Sequence, residues 1–177
     1  MNLQDLKELK PCNEGLEFVK NSKSLLDAWN TCERGDWMLW IAKRLGCDLQ
    51  TLTLAKGLCA KTVYKLMKDN RSRKAVRVAI AFGLGKATIE ELKVTAADAY
   101  AAYAAAAVAY EASAAVAYDV ATAYDASATA YAYAAYDASY TDAYADAAAA
   151  AKKKNQKQTA AICRKVLTPF IESYLNK

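Results

Sequence analysis

The segment from Val94 to Ala151 constrains the fold of this chain more than any other feature. About half of its residues are alanine, ten of the chain's twelve tyrosines lie in it, and it contains no glycine and no proline. Alanine has the highest helix propensity of all residues, so a run of this composition favours helix even before tertiary packing is considered. The segment therefore predicts an all-α protein.

The start of this segment and its length predict how its helices are arranged. Thr88 and Glu91 have the spacing of a capping box, which places the first helix start near Ile89. One unbroken helix from there would be about 95 Å long, whereas a compact domain of this size is much smaller. The tyrosine stripe changes helix face between Ser127 and Tyr133. We therefore expect two or three close-packed, antiparallel Ala/Tyr-rich helices, or helices that span an oligomer.

The residues before this segment predict an amino-terminal bundle of short helices. Asn13, Ser24 and Asp36 are candidate helix starts, and Gly46 is a candidate helix end. The adjacent side chains Trp37, Trp40 and Ile41 share one helix face and are expected in the core.

Two further helices complete the predicted multi-helix array. A helix from about Asp48 to Lys68 carries a stripe expected to be buried, which consists of Leu52, Ala55, Cys59, Val63 and Leu66. The last helix is expected to kink or end near Pro169.

Charge divides the chain into three blocks. Met1 to Lys93 has 17 basic and 11 acidic residues, Val94 to Ala151 has no basic and seven acidic residues, and Lys152 to Lys177 has seven basic residues and one acidic residue. We therefore distinguish an amino-terminal helical region at 1–87, an Ala/Tyr-rich array at 88–151 and a basic carboxy-terminal helix at 152–177. All three are expected to form one continuous domain. Such alternating charge suits binding to a charged partner.

The sequence offers little catalytic chemistry. Histidine is absent, and no glycine-rich phosphate loop or nucleophile elbow occurs. The five cysteines are an odd number without a C-x-x-C pair, which predicts reduced and mostly buried thiols. We expect no enzymatic activity, no cofactor, no metal site and no membrane association. With no signal peptide at the start, we expect a cytoplasmic protein.

Two groups of residues are candidate binding sites. The first is an acidic face for a protein partner, formed by Asp119, Asp125, Asp137, Asp142 and Asp146. The second is a ligand or phosphate site that combines cations with stacking rings, formed by Arg71, Arg73, Lys74, Tyr110, Tyr118, Tyr124 and Tyr136. The favoured interpretation of the tyrosines is nevertheless that they fill the core, and a further alternative is that they contact a partner from an exposed surface. The alternatives for the cations are a solvated face or contact with an acidic surface, including this chain's own middle block.

Four motifs carry a resemblance to a known family. They are CERGDWMLW (Cys32 to Trp40), RSRKAVRVAIAFGLGKATIEEL (Arg71 to Leu92), the long Ala/Tyr tract and AICRKVL (Ala161 to Leu167). This succession resembles a family of alanine-rich immunity proteins encoded by bacteria and phages. The resemblance implies an all-helical, non-enzymatic protein of the bacterial host cytosol that neutralises a toxin or a host defence component by binding it.

Three functions remain open from the sequence. The first is a binding inhibitor of the immunity or phage anti-defence type. The second is a small-molecule or nucleotide-signal sponge with a tyrosine-lined pocket and Arg/Lys phosphate contacts. The third, less favoured, is a nucleic-acid-associated basic helical protein. Homo-oligomerisation is compatible with each of them.

Overall fold

The computed structural model describes residues 2–67, 69–108 and 142–176, and within them the side chains at 2–67, 69–101 and 150–176. Over these residues the protein is all helical, with eight α-helices, one 3-10 helix and no strand. The predicted fold class, an all-α multi-helix array, is confirmed. None of the described helices combines the length and the apolar character needed to cross a bilayer.

The helices follow one another through short connections. In chain order they are α1 (Leu3–Glu8), α2 (Asn13–Lys20), α3 (Leu25–Thr31), α4 (Gly35–Arg44), α5 (Leu49–Lys61), α6 (Asn70–Gly83), α7 (Ile89–Val108) and α8 (Asp142–Leu175). The 3-10 helix Tyr64–Leu66 lies between α5 and α6. The predicted turns near residues 127–133 of the Ala/Tyr-rich array lie outside the described residues.

The core lies where α8 meets the amino-terminal helices. Helices α5, α6 and α7 pack in chain order, and α8 packs against α3, α4 and α5. The buried apolar residues in the described part of α8 are Ala160, Cys163, Leu167 and Ile171, which recur at steps of three and four and so form one helix face. They contact a cluster that includes Trp29, Met38, Leu39 and Cys59. The carboxy-terminal half of α8 is therefore a central element of the core.

Two glycines allow helices to approach closely. A Cβ atom at Gly35 of α4 would overlap the side chain and carbonyl carbon of Thr159 on α8. A Cβ atom at Gly83 of α6 would overlap Leu54 of α5. Because interiors are close-packed, any side chain at these positions would force the helices apart.

Several predicted helix starts are confirmed by their hydrogen bonds. The Ser24 hydroxyl accepts from the Asp27 N–H at 3.0 Å. Thr88 and Glu91 form the predicted capping box, with bonds of 2.7 and 3.1 Å, and α7 begins at Ile89 as expected. Gly46 has a φ of 82°, as expected after a helix end.

The long helix predicted from about Asp48 to Lys68 is shorter than expected. Helix α5 ends at Lys61, and the chain continues into the 3-10 helix. Of the predicted buried stripe, Leu52, Ala55 and Cys59 are buried, but Leu66 is 62% exposed. The apolar spacing therefore extended beyond the point at which the backbone leaves the α-helix.

Three other boundaries also differ from the prediction. Helix α2 starts at Asn13, but its N-cap is Cys12, which makes no side-chain capping bond. Helix α4 starts at Gly35, one residue before the predicted Asp36. The last helix was predicted to kink or end near Pro169. Helix α8 continues through Pro169 and ends at Leu175.

The core face of α4 also differs from the expected one. Met38, Leu39 and Ala42 are buried, whereas Trp37, Trp40 and Ile41 are half-buried. Trp37 and Ile41 pack against the edge of the core. The smaller side chains of α4 face α8 because a close helix approach at Gly35 leaves no room there for indole rings.

Two helices lead from this packed body into the Ala/Tyr-rich segment. On α7, Thr95 is buried, while Ala97, Asp98, Tyr100 and Ala101 are exposed. On α8, the five consecutive residues 150–154 are all exposed. Five consecutive positions cover every side of a helix, since one turn takes 3.6 residues. At that level α8 is therefore surrounded by solvent.

Candidate functional site

The structure tests only part of the predicted site residues. Asp119, Asp125, Asp137, Tyr110, Tyr118, Tyr124 and Tyr136 lie outside the described residues. Asp142 and Asp146 lie in the first turns of α8, where no side chain is described. Arg71, Arg73 and Lys74 are described, and all three lie in the first two turns of α6.

Arg71 is engaged by the residue that caps its own helix. Asp69 is the N-cap of α6, and its carboxylate accepts from the Arg71 backbone N–H at 2.7 Å. The same carboxylate accepts from Nη2 of Arg71 at 3.0 Å. These bonds hold the pKa of Asp69 below its ordinary value, chiefly through the side chain of Arg71. The positive charge of Arg71 is thus matched locally by a carboxylate.

Arg73 and Arg77, unlike Arg71, both contact one tyrosine ring. Nη1 of Arg77 donates to the hydroxyl of Tyr64 at 2.5 Å. The Cζ atom of Arg73 lies 5.8 Å from the centroid of the same ring, within the range of a cation–π contact. We call these three residues, Tyr64, Arg73 and Arg77, the Tyr64 cluster.

One hydrogen-bond donor of this cluster has no acceptor among the described residues. Nε of Arg73 is buried and has no hydrogen-bond partner among the described residues. A buried donor without a partner carries a desolvation penalty, so native structures contain few of them. The Nε donor of Arg73 is therefore left unused by the described part of the protein.

Further cations surround the Tyr64 cluster along the chain. Lys61 ends α5, Lys65 follows Tyr64 in the 3-10 helix, and Lys74 follows Arg73 in α6, and all three side chains are exposed. Guanidinium and ammonium groups at such density attract phosphates. The charge of this surface therefore favours contact with an anion such as a phosphate group.

Tyr64 is not among the residues that the sequence predicts for the site. The predicted stacking rings all lie in the Ala/Tyr-rich segment. The missing signal was the position of Tyr64 between Lys61 and Lys65, since an aromatic ring interleaved with cations is typical of phosphate-binding surfaces. The end of α5 at Lys61 is what brings the ring next to α6.

The thiols of the core are poor nucleophiles. Burial raises the pKa of Cys32, and it raises that of Cys47 to about 11. The neighbouring Cys59 and burial raise the pKa of Cys163. A nucleophilic cysteine needs a lowered pKa, so these three thiols are shifted in the opposite direction. All five cysteines are free, and Cys12 is the exposed one.

The described residues also lack a metal-binding cluster, since no three Cys, Asp or Glu side chains converge among them.

A cavity of about 390 Å³ lies between α1, α2, α3, α4 and the end of α8. Its lining includes the tryptophans Trp29, Trp37 and Trp40.

In comparisons with family models, curated proteins and solved structures, nothing matches this chain.

Proposed function

We propose that this protein acts by binding a protein partner, as an inhibitor of the immunity or anti-defence type. The observation that carries the proposal is the separation of charge along the chain. Two net-basic blocks, which form most of the packed body, flank a segment with seven acidic and no basic residues, and Asp98, the acid of that segment whose side chain is described, is exposed. The resemblance to alanine-rich immunity proteins points in the same direction.

The acidic composition of the segment from Val94 to Ala151 favours one class of protein partner. An acidic segment attracts a protein surface that itself binds phosphate, because that surface carries the opposite charge. A nuclease toxin and a nucleic-acid-handling defence complex both have such surfaces. Binding over that surface would block access of the nucleic acid without any reaction.

The test compares two variants with the same net charge. The first replaces Asp119, Asp125, Asp137, Asp142 and Asp146 by asparagine. The second replaces five exposed acidic residues of the body by glutamine, namely Glu8, Glu14, Glu17, Glu90 and Glu172. Partners crosslinked to the wild-type protein in its host are purified and titrated against each variant by calorimetry. We expect the first variant to lose at least about tenfold in affinity and the second to lose little.

Equal affinity of the two variants for every purified partner would contradict the proposal.

The dependence of the affinity on salt concentration is a second measurement. Binding that depends on the acidic segment weakens as ionic strength rises, because surface charges are screened beyond about 8 to 10 Å at physiological salt. Affinity that does not change with salt would also contradict it.

A second candidate function is a nucleotide sponge, and the grouping of Arg73 and Arg77 around the Tyr64 ring favours it. In this case the Tyr64 cluster would bind the phosphate and the ring of a nucleotide. Native mass spectrometry of protein purified from stressed or infected cells tests for retained ligand mass.

Arg71 provides a matched control for that candidate, because it lies on the same helix but is paired with Asp69. We expect Arg73→Gln and Arg77→Gln to lose the ligand mass and Arg71→Gln to keep it. A ligand-free wild-type mass would count against the sponge. Binding of long polynucleotides with a steep salt dependence would instead favour the third alternative, a nucleic-acid-associated protein.

A further inference from the structure

The tryptophan-lined cavity is a feature of the body that the proposed function does not use. It has a volume of about 390 Å³. Ligand pockets in proteins range from about 300 to 1,000 Å³, and an apolar cavity of about 150 Å³ is enough for benzene. The cavity is therefore large enough for a molecule of two or three fused or linked rings.

Aromatic side chains form much of its wall. Trp29, Trp37 and Trp40 all line it, and they are the three tryptophans of the chain. Phe18 lines it as well, with its ring centroid 6.0 Å from that of Trp37 and the two planes inclined by 50°. Aromatic rings pack favourably at this distance when they are tilted or offset. A further aromatic ring could pack against these two in the same way.

Two polar groups of the wall, the Asp36 carboxylate and the Trp29 indole N–H, are already bonded within the protein. Both carboxylate oxygens of Asp36 accept from the guanidinium of Arg34, at 2.9 and 2.6 Å. Nε1 of Trp29 donates to the hydroxyl of Thr168 at 2.9 Å. The wall therefore has no unmatched charge with which to compensate a charged ligand, and burying such a ligand would be costly.

We propose that this cavity binds an uncharged aromatic small molecule. The apolar rings supply the contact area, and the internally bonded polar groups exclude ions. The proposal does not depend on the acidic segment or on a protein partner, so it stands or falls separately from the proposed function.

The test uses two probes with one ring skeleton. N-phenyl-1-naphthylamine is uncharged, and 8-anilinonaphthalene-1-sulfonate carries a sulfonate on the same framework. Each is titrated into the full chain with excitation selective for indole. Because every tryptophan of the chain lines the cavity, quenching of the indole emission reports on this site. We expect saturable binding of one uncharged probe per chain and at least about tenfold weaker binding of the anion.

Two variants with the same added side chain locate the binding. A Cβ atom at Gly15 of α2 would lie 3.3 Å from Sγ of Cys12 and 3.9 Å from the ring of Trp37, so a side chain there enters the cavity. Asn13 lies on the same helix, is exposed and does not line the cavity. We expect Gly15→Leu to weaken the binding of the uncharged probe at least about tenfold and Asn13→Leu to leave it unchanged.

Chemical modification tests the same site without depending on a substitution that could impair folding. Cys12 lines the cavity and is the exposed one of the five cysteines. We expect wild-type protein modified with N-ethylmaleimide to lose binding of the uncharged probe, and Cys12→Ser treated in the same way to retain it. Three results would each overturn the proposal: binding that does not saturate, equal binding of the two probes, or binding that survives both Gly15→Leu and modification of Cys12.

Discussion

The Sγ atoms of Cys59 on α5 and Cys163 on α8 lie 3.9 Å apart in the core. Each thiol also faces a backbone carbonyl oxygen, that of Thr159 at 3.7 Å for Cys59 and that of Gly35 at 3.6 Å for Cys163. The two sulfur atoms thus lie at the junction of α4, α5 and α8. Two of the following predictions concern this junction, one through Cys163 and one through Gly35.

Removal of the Cys163 sulfur is expected to destabilise the fold. Cys163 is fully buried, so Cys163→Ala leaves a cavity and removes the contact with Cys59. We expect a loss of about 1 to 3 kcal/mol in the free energy of unfolding, measured by urea denaturation followed by circular dichroism. The control Cys12→Ala changes an exposed thiol and should stay within about 0.5 kcal/mol. Equal midpoints for the two variants would contradict the packing described here.

The cysteines are expected to differ sharply in reactivity towards a disulfide reagent such as dithionitrobenzoate. Cys12 is exposed, whereas the other four thiols are buried. We expect one thiol of the folded protein to react rapidly and the other four to react only after denaturation. The rapid reaction should disappear in Cys12→Ser. Two or more rapidly reacting thiols in the folded wild-type protein would show that the core is more open than described.

Stability is expected to fall at alkaline pH because of the buried thiols. In the unfolded chain these thiols ionise near their ordinary pKa of 9.0, whereas in the folded protein the pKa of Cys47 is raised to about 11. Between these values the unfolded state has released a proton that the folded state retains, so the free energy of unfolding decreases as pH rises. We expect this decrease to be shallower in Cys47→Ala than in the wild type. Parallel pH profiles would contradict the prediction.

The close approach of α4 and α8 is tested by adding one methyl group. At Gly35 the methyl group of alanine would overlap Thr159, including its carbonyl carbon, so the helices must move apart. We expect Gly35→Ala to lose about 1 to 3 kcal/mol in the free energy of unfolding. Gly15→Ala is the matched control, because its methyl group meets only the movable thiol of Cys12 and has ordinary contact with Trp37. If both variants melt at the wild-type temperature, the two helices do not approach as described.

The two arginines of the Tyr64 cluster are expected to affect stability in different ways. Nε of Arg73 is buried without a partner, so Arg73→Met removes an uncompensated donor and should leave stability unchanged or slightly higher. Arg77→Met removes the bond to the Tyr64 hydroxyl and should lower stability by about 0.5 to 1.5 kcal/mol. Thermal unfolding of the two variants without ligand gives the comparison. A larger loss for Arg73→Met than for Arg77→Met would show that Arg73 is satisfied within the protein.

The sequence predicted those parts of the fold that depend on local interactions. The all-α class follows from helix propensity, and the starts of α3 and α7 follow from caps that satisfy backbone N–H groups within three residues, at Ser24 and Thr88. The end of α5 could not be predicted in this way. The apolar spacing continues to Leu66, and only the packing of α6 on α5 determines that the backbone turns after Lys61.

The candidate sites were less predictable, because they depend on contacts between distant residues. Arg71, Arg73 and Lys74 are equivalent cations in the sequence, and only the structure distinguishes Arg71, paired with Asp69, from Arg73, beside Tyr64. The cavity was not predicted at all. Its wall combines residues of α1 to α4 with Ile171 and Leu175 of α8, and no local pattern indicates that these elements meet around a space.

The position of α8 has a consequence for the order in which the protein folds during synthesis. Ala160, Cys163, Leu167 and Ile171 complete a core whose other half lies more than 100 residues earlier, as the separation of Cys59 and Cys163 shows. The ribosome must translate the whole Ala/Tyr-rich segment before the first of these four side chains is made. Until then the faces of α3, α4 and α5 that pack against α8 lack that partner, so the nascent chain exposes apolar surface at which aggregation can begin.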